Sequence, residues 1–416
     1  MNEALRCAGL TCLKLLNDAG YEAWWVGGCV RDGLLGRPVQ DIDITTSALP
    51  EQTMECFQSQ GHTVIPTGIK HGTVTVMMQN FPIEVTVYRT DRDYQDHRHP
   101  RSIQFVRSLK EDCARRDFTV NALCWHPELG LQDYFGGQQD LKMKNIRCIG
   151  NPCQRLDEDA LRILRALRFS AALDFTIESE THAALFQKKE LLRVLSAERI
   201  AREIEKMVIG RRWPEVFTVY HELLAVLFPQ LPALQSPAAI QKAFGAFRLC
   251  PRITLPRLAC FFLVSQQTPL AFCLDQAQRW SRQLKLSKHD RKSLTQLVQN
   301  QNRPLPKNRI DLRRLIYELP DLSTEWIQLQ QALRRLSAKQ AGQWIAAIEE
   351  IQSSDCLTLK QLAVNGYDLI AAGCPKTEIS VCLNQALSAV IEDQVPNQKE
   401  ALLTYIQQQA KPESQD

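Results

Sequence analysis

The hydrophobic period of the chain changes near residue 150, and that change limits the folds open to it. From Arg155 onward nearly every segment repeats its apolar residues at helical spacing, with breaks at Pro214, Pro229, Pro232, Pro251, Pro304, Pro306 and Pro320. The first 150 residues mix periods instead. Residues 1–19 read as a helix, 22–26 as a strand, 30–35 as a short helix and 39–45 as a strand. Residues 72–78 and 83–88 alternate with β-branched side chains around the turn Gln79-Asn80-Phe81-Pro82, which predicts a hairpin. The expected fold class is an α/β head followed by an all-α remainder.

The 416 residues exceed what one compact core needs and correspond to about three units of roughly 150 residues each. With 44% hydrophobic and 23% charged residues, the chain is neither disordered, collagen-like nor a coiled-coil rod. Its longest apolar stretches, such as 258–264, fall short of the ~18–20 residues that cross a bilayer, so no membrane partner is expected. The first twenty residues carry Glu3, Arg6 and Lys14 among their leucines, unlike a signal peptide, and a cytoplasmic location follows as the expectation. Fourteen cysteines are scattered singly, which favours reduced, mostly buried thiols over a metal-thiolate centre. Charge is uneven: residues 241–320 hold fifteen Lys and Arg against four Asp and Glu, whereas residues 321–416 hold seven against twelve. That basic surplus, with Phe247, Phe261 and Trp280 interleaved, fits a phosphate backbone as well as it fits solvated helix faces.

The segment richest in chemistry is Gly27-Gly28-Cys29-Val30-Arg31-Asp32, followed by Asp41-Ile42-Asp43-Ile44. Two glycines between a strand and a short helix let the backbone approach a polyanion, with Arg31 beside them. Asp41 and Asp43, two apart on a predicted strand, point to one face while Ile42 and Ile44 turn to the core. Adjacent carboxylates repel unless a cation lies between them, and Mg²⁺ suits oxygen ligands that leave room for substrate phosphates.

These residues, in type and spacing, resemble the first motif of the class II CCA-adding enzymes and related bacterial poly(A) polymerases, within the polymerase-beta-like nucleotidyltransferases. The resemblance implies a nucleotidyltransferase head followed by a helical neck, body and tail. It also implies Asp41 and Asp43 as catalytic metal ligands, Mg²⁺ as cofactor, and addition of C, C and A to the 3′ end of tRNA from CTP and ATP.

A second match is Arg115-Arg116-Asp117-Phe118-Thr119-Val120-Asn121-Ala122, whose forked cations, carboxylate and amide suit a nucleotide sugar and triphosphate; Arg116 is the leading phosphate contact. The third is Asp157-Glu158-Asp159-Ala160-Leu161-Arg162, continuing through Arg165 and Arg168. At helical spacing Asp159 and Arg162 share a face, and Leu161, Leu164 and Leu167 form a buried stripe. Cytosine and adenine share an amino donor beside a ring-nitrogen acceptor; an acceptor from Asp159 next to donors from Arg162 accepts those bases and rejects uracil and guanine. The resemblance assigns base selection to this element and nucleotide contacts to Arg165 and Arg168; taken alone, the pair reads first as an ordinary intrahelical salt bridge.

Smaller matches follow. Asp133-Tyr134-Phe135-Gly136-Gly137 before Asp140-Leu141 and Glu198-Arg199-Ile200-x-x-Glu203 resemble the third and fifth family motifs and receive no chemistry. Leu362-Ala363-Val364-Asn365-Gly366 is similar to the C-terminal region of the Gram-positive type. Glu84 is either a third carboxylate near the metals or a surface strand residue. Residues 91–100, rich in His and Arg, read as a mobile loop with solvated His97 and His99. His289-Asp290 reads as surface charge. The expected division is a catalytic head at 1–150, a base-recognising neck at 151–215, a basic tRNA-binding body at 216–330 and a tRNA-binding tail at 331–416, with oligomeric state open. The competing functions are a partial adder of only CC or only A, a poly(A) polymerase, and a catalytically idle RNA-binding protein; the intact carboxylates oppose the last. Thr67-Gly68-Ile69-Lys70-His71-Gly72-Thr73 looks like the CCA-adding version of its turn and not that of the poly(A) polymerases.

Overall fold

The computed structural model describes residues 2–94, 100–263 and 269–409. It divides into two compact units, one spanning residues 1–229 with 283–285, the other 230–282 with 286–416.

The first unit opens with α1 (Glu3–Asp18), capped by the Asn2 side chain on the Ala4 N–H. Then follow β1 (Ala23–Val26), α2 (Gly28–Leu34), β2 (Asp43–Thr46), α3 (Pro50–Gln58) and β3 (Thr63–Gly68). The predicted hairpin is β4 (Thr73–Met78) and β5 (Phe81–Val87). Its loop is tighter than the four residues expected: Gln79 and Asn80 alone turn the chain, with φ of 50° and 70°, as a two-residue turn between twisted strands requires. Next come β6 (Arg89–Tyr94), β7 (Pro100–Phe105), α4 (Leu109–Ala114), β8 (Cys124–His126), β9 (Gly130–Gln132) and α5 (Gly137–Met143).

Seven strands form one sheet in the order β3-β4-β5-β2-β1-β8-β9, in which β2 and β5 run parallel and the other neighbours antiparallel. The β2–β5 register sets Asp43 opposite Glu84. β2 itself begins at Asp43, so Asp41 stands in the segment leading into the strand and not on it, a correction to the expected 39–45. Residues 91–94, expected in a loop, belong to β6, which pairs with β7 in a separate ribbon; the ladder bonds are backbone bonds, so charged side chains do not prevent it. His97 lies outside the described residues, as does His99.

Ile42 and Ile44 are buried on either side of Asp43, and α1 covers the sheet closely at Gly9. A Cβ at Gly9 would lie 2.6 Å from Ile42 Cδ1 and 2.9 Å from Trp25 Cζ2, so only glycine permits that approach. Trp24, Val26, Tyr88, Leu109, Cys113 and Cys124 form a core cluster where α4 meets the sheet. Asp133 accepts from the N–H groups of Gly137 and Gln138 at 2.9 Å, which makes the third motif a chain-turning cap before α5.

The helical part of this unit follows β10 (Asn145–Ile146). It comprises α6 (Pro152–Glu158), α7 (Leu161–Leu173), the short β11 (Thr176–Ile177) paired with β10, α8 (Ser179–Gln187), α9 (Ala197–Val208), α10 (Trp213–Val219) and α11 (His221–Leu227). Leu164 and Leu167 of the expected stripe are fully buried.

The second unit is helical throughout its described residues, from α12 (Pro237–Leu249) and α13 (Thr254–Leu263) to the C-terminal Lys399–Gln409 helix. Phe247, Phe261, Phe262 and Trp280 pack on one another, with ring centroids 5.3–6.1 Å apart, and are buried. The aromatics interleaved with the basic residues are therefore core and not a stacking platform for bases. Asp290 bonds Ser287, the N-cap of its helix, which gives the His289-Asp290 pair a capping place. All fourteen cysteines are free thiols. Among the described residues no helix is long and apolar enough to cross a membrane.

Candidate active site

One cleft of the first unit, roughly 540 Å³, collects residues from both its α/β and its helical parts. All nine residues singled out in the sequence line it: Gly28 and Arg31, then Asp41 and Asp43, then Arg116, then Asp159 and Arg162, and finally Arg165 and Arg168. Seven arginines and five aspartates face this space, a lining matched to a polyanion that arrives with a cation.

The acidic wall comes first. The Asp43 carboxyl is pushed up to about 6 by burial, then by repulsion from Asp41 and from Glu84 across the β2–β5 pair, with Arg116 pulling the other way. Glu84 is exposed and its partnership with Asp43 is electrostatic. Crowded oxygen donors of this kind fit a hard divalent cation, which relieves their repulsion. Among the described residues no cluster of three or more ligating side chains exists, and Asp41 with Asp43 is the pair that could hold such an ion.

The glycine turn forms the floor. Gly27 adopts φ 79°, and a Cβ there would lie 3.3 Å from Arg116 Nη1, so the turn both needs glycine and lets the guanidinium close over it. Arg31, buried, donates to both Asp32 oxygens at 2.8–2.9 Å and to Asn121 Oδ1 at 2.6 Å.

The basic wall is built on acids placed behind it. Asp117 accepts from Arg165 Nε at 2.7 Å, Asn121 Nδ2 at 3.0 Å and the Phe118 N–H at 2.8 Å. Burial alone raises its carboxyl, but Arg165 and these bonds outweigh it and hold the group at about 2. Arg168 pairs with Glu203 at 2.9 Å. Burial, with Arg165 and Arg31 nearby, lowers its guanidinium although Glu203 opposes the shift. Arg31, Arg165 and Arg168 all approach the Phe169 ring, at 5.1, 5.3 and 4.1 Å from its centroid, within the range of cation–π attraction.

Asp159 and Arg162 do not share a helix; the Arg162 N–H donates to the Asp159 carbonyl at 3.0 Å, while their side chains are anchored on other partners. α6 ends at Glu158; Asp159 is extended, with φ −141° and ψ 104°, and α7 starts at Leu161. The Asp159 carboxylate instead accepts from Arg199 Nη2 with both oxygens at 2.9 Å and from the Leu161 N–H at 3.0 Å. Arg162 donates to Glu158 at 2.6 Å, to the Arg155 carbonyl at 2.8 Å and to the Arg115 carbonyl at 2.9 Å. The intrahelical salt bridge is thus replaced by two separately anchored groups on one cleft. The fifth motif, expected to carry no chemistry, supplies two of the anchors, Arg199 for Asp159 and Glu203 for Arg168, one helical turn apart on α9. Phe169 and the two α9 side chains were missed because their role is a contact across the fold; the i, i+4 spacing of Arg199 and Glu203 was the one signal available.

A mixed sheet with acids at the start of β2, faced by acid-backed arginines, defines a nucleotidyltransferase head. Residues 23–147 match the family model described as poly A polymerase head domain, residues 174–234 that for the "Probable RNA and SrmB- binding site of polymerase A", and residues 267–406 that for tRNA nucleotidyltransferase domain 2. Within that class the chain belongs to the family of the CCA-adding enzymes. It is 32% identical over 406 residues to the CCA-adding enzyme of Staphylococcus epidermidis, covering 95% of this chain and 96% of the relative. It is 36% identical over 400 residues to that of Oceanobacillus iheyensis, covering 95% of each. The crystal structure of the Bacillus stearothermophilus CCA-adding enzyme in complex with CTP superposes with a TM-score of 0.76 at 29% identity, covering 98% of each chain.

Proposed function

We propose that this protein adds cytidine, cytidine and adenosine to the 3′ end of tRNA, without a template, from CTP and ATP and with Mg²⁺ held by Asp41 and Asp43. The observation that carries the reading is that those carboxylates line the same cleft as Arg116, Asp159 and Arg162. Such a cleft can hold a triphosphate and inspect its base at the same time. A divalent ion there supplies charge stabilisation at the transferring phosphoryl group and makes the attacking hydroxyl more acidic.

The chain's own groups do the rest. Gly28 and Arg31 cradle phosphates; Arg116, with Arg165 and Arg168, orients the nucleotide by charge-assisted hydrogen bonds. Asp159, its carboxylate already fixed by Arg199, accepts from the amino group that cytosine and adenine share, and Arg162 donates beside it. Guanine and uracil present a carbonyl to Asp159 and leave a buried acceptor facing an acceptor, which disfavours them. The 3′-hydroxyl of the RNA attacks the α-phosphorus in line and pyrophosphate leaves, with no covalent enzyme intermediate. In this reading residues 1–150 are the catalytic head and 151–215 the base-recognising neck, while the body at 216–330 and the tail at 331–416 hold tRNA. The reaction belongs to the compartment where tRNA is finished, the cytoplasm.

The test is product length. Purified protein receives tRNA truncated before the first C, the second C or the A, with CTP or ATP offered singly and together. Growth that ends at CCA is expected; a product stopping at CC, or one lacking C, marks a partial adder, and extension past the terminal A rejects the proposal.

A further inference from the structure

Asp112 touches no part of the cleft, yet it is fully buried and gathers groups from three elements that do border it. From its own helix end, Arg115 donates to Oδ1 through Nε at 2.9 Å and Nη2 at 2.8 Å, and Arg116 donates to Oδ2 through Nη2 at 3.2 Å. From β2, the Thr45 hydroxyl donates to Oδ2 at 3.0 Å. From β6, the Arg89 N–H lies 3.4 Å from Oδ1.

Thr45 is two residues beyond Asp43 on the same strand, so the two side chains share a face of the sheet. Arg115, Arg116 and Arg89 all line the cleft. The Arg115 carbonyl also receives Arg162 Nη2, so whatever fixes the end of α4 fixes one tether of Arg162 as well. A buried carboxylate with two cationic partners costs far more to leave unpaired than an exposed one, and core packing alone would be served as well by an apolar side chain. Its position, between the strand of Asp43 and the arginine pair, is explained by what it holds.

We propose that Asp112 is a positioning residue for nucleotidyl transfer, clamping Arg115 and Arg116 to the strand that carries Asp43 and so setting the spacing between phosphate-facing cations and metal-facing carboxylate. The inference rests on the nucleotidyl-transfer reading of the same cleft.

The test compares the full-length protein with Asp112→Asn and Thr45→Val. Asp112→Asn keeps the shape but removes the charge and turns an amide N–H toward a guanidinium. Expected for it are KM values for CTP and ATP, and the inhibition constant of pyrophosphate, raised by about tenfold or more, with tRNA affinity within about twofold of the parent. Thr45→Val removes one bond of the clamp and should move the same constants in the same direction by a smaller factor. A merely structural role lowers the melting temperature and leaves KM and pyrophosphate inhibition of the folded fraction unchanged; that result overturns the proposal. Should Asp112→Asn fail to fold, Thr45→Val decides, and unaltered constants in it overturn the proposal equally. A parent protein that adds no nucleotide would defeat the functional reading instead, while pyrophosphate binding measured by calorimetry would still tell whether the clamp exists.

Discussion

Replacing Asp43 with asparagine should make the protein more stable while ending its activity. Its carboxyl sits at about 6 in the folded chain against an ordinary 3.8, first through burial and then through Asp41 and Glu84. Between those two values the folded state holds a proton that the unfolded state has released, so stability falls as pH rises through that window. Above about pH 6 the penalty is complete; at 1.36 kcal/mol per pH unit it comes to roughly 3 kcal/mol. Asparagine keeps the shape and cannot ionise. In urea unfolding with a chelator present, Asp43→Asn should gain about 2–3 kcal/mol at about pH 7.5 and almost nothing near pH 3, below the window. Added Mg²⁺ should stabilise the parent and leave the variant unmoved, because a ligand that binds only the folded form stabilises it by mass action. A variant no more stable than the parent at about pH 7.5, or a full advantage that persists near pH 3, refutes the reasoning.

Two other substitutions probe the basic wall and the base-facing group. Phe169→Leu keeps apolar bulk but removes the ring face beneath Arg31, Arg165 and Arg168; at about 0.5–2 kcal/mol per cation–π contact, KM for both nucleotides should rise several-fold in steady-state assays, and an unchanged KM refutes it. Arg199→Lys replaces a planar fork with a point charge and loosens Asp159, so preference for CTP over UTP should fall by about tenfold in single-addition assays, whereas an unaltered ratio separates Arg199 from base choice.

The periodic parts of this fold were legible because their burial is periodic. Leu164 and Leu167 sit in the core at helical spacing, and Ile42 and Ile44 alternate about Asp43. β3 escaped notice because most of its residues are exposed, so no alternation marks it, and β8 and β9 span three residues each. Tertiary context also overrode local pattern at Asp159. Helical spacing carried the reading straight through from Asp157 to Phe169, but the Asp159 carboxylate bonds the Leu161 N–H and reaches across to Arg199, and the helix breaks there. The nine site residues could be named from motifs because they are close in sequence within each motif. Asp112 and Phe169 could not, since their role exists only once β2, α4 and α7 are brought together.

Four arginines of the cleft wall are each tied to an acid: Arg31 to Asp32, Arg116 to Asp112, Arg165 to Asp117, Arg168 to Glu203. A mouth built to receive a triphosphate is thereby almost self-neutralised when nothing is bound. Between rounds of work these acids ease the repulsion among the arginines, so the basic wall leans less than the acidic one on borrowed counter-ions from solution.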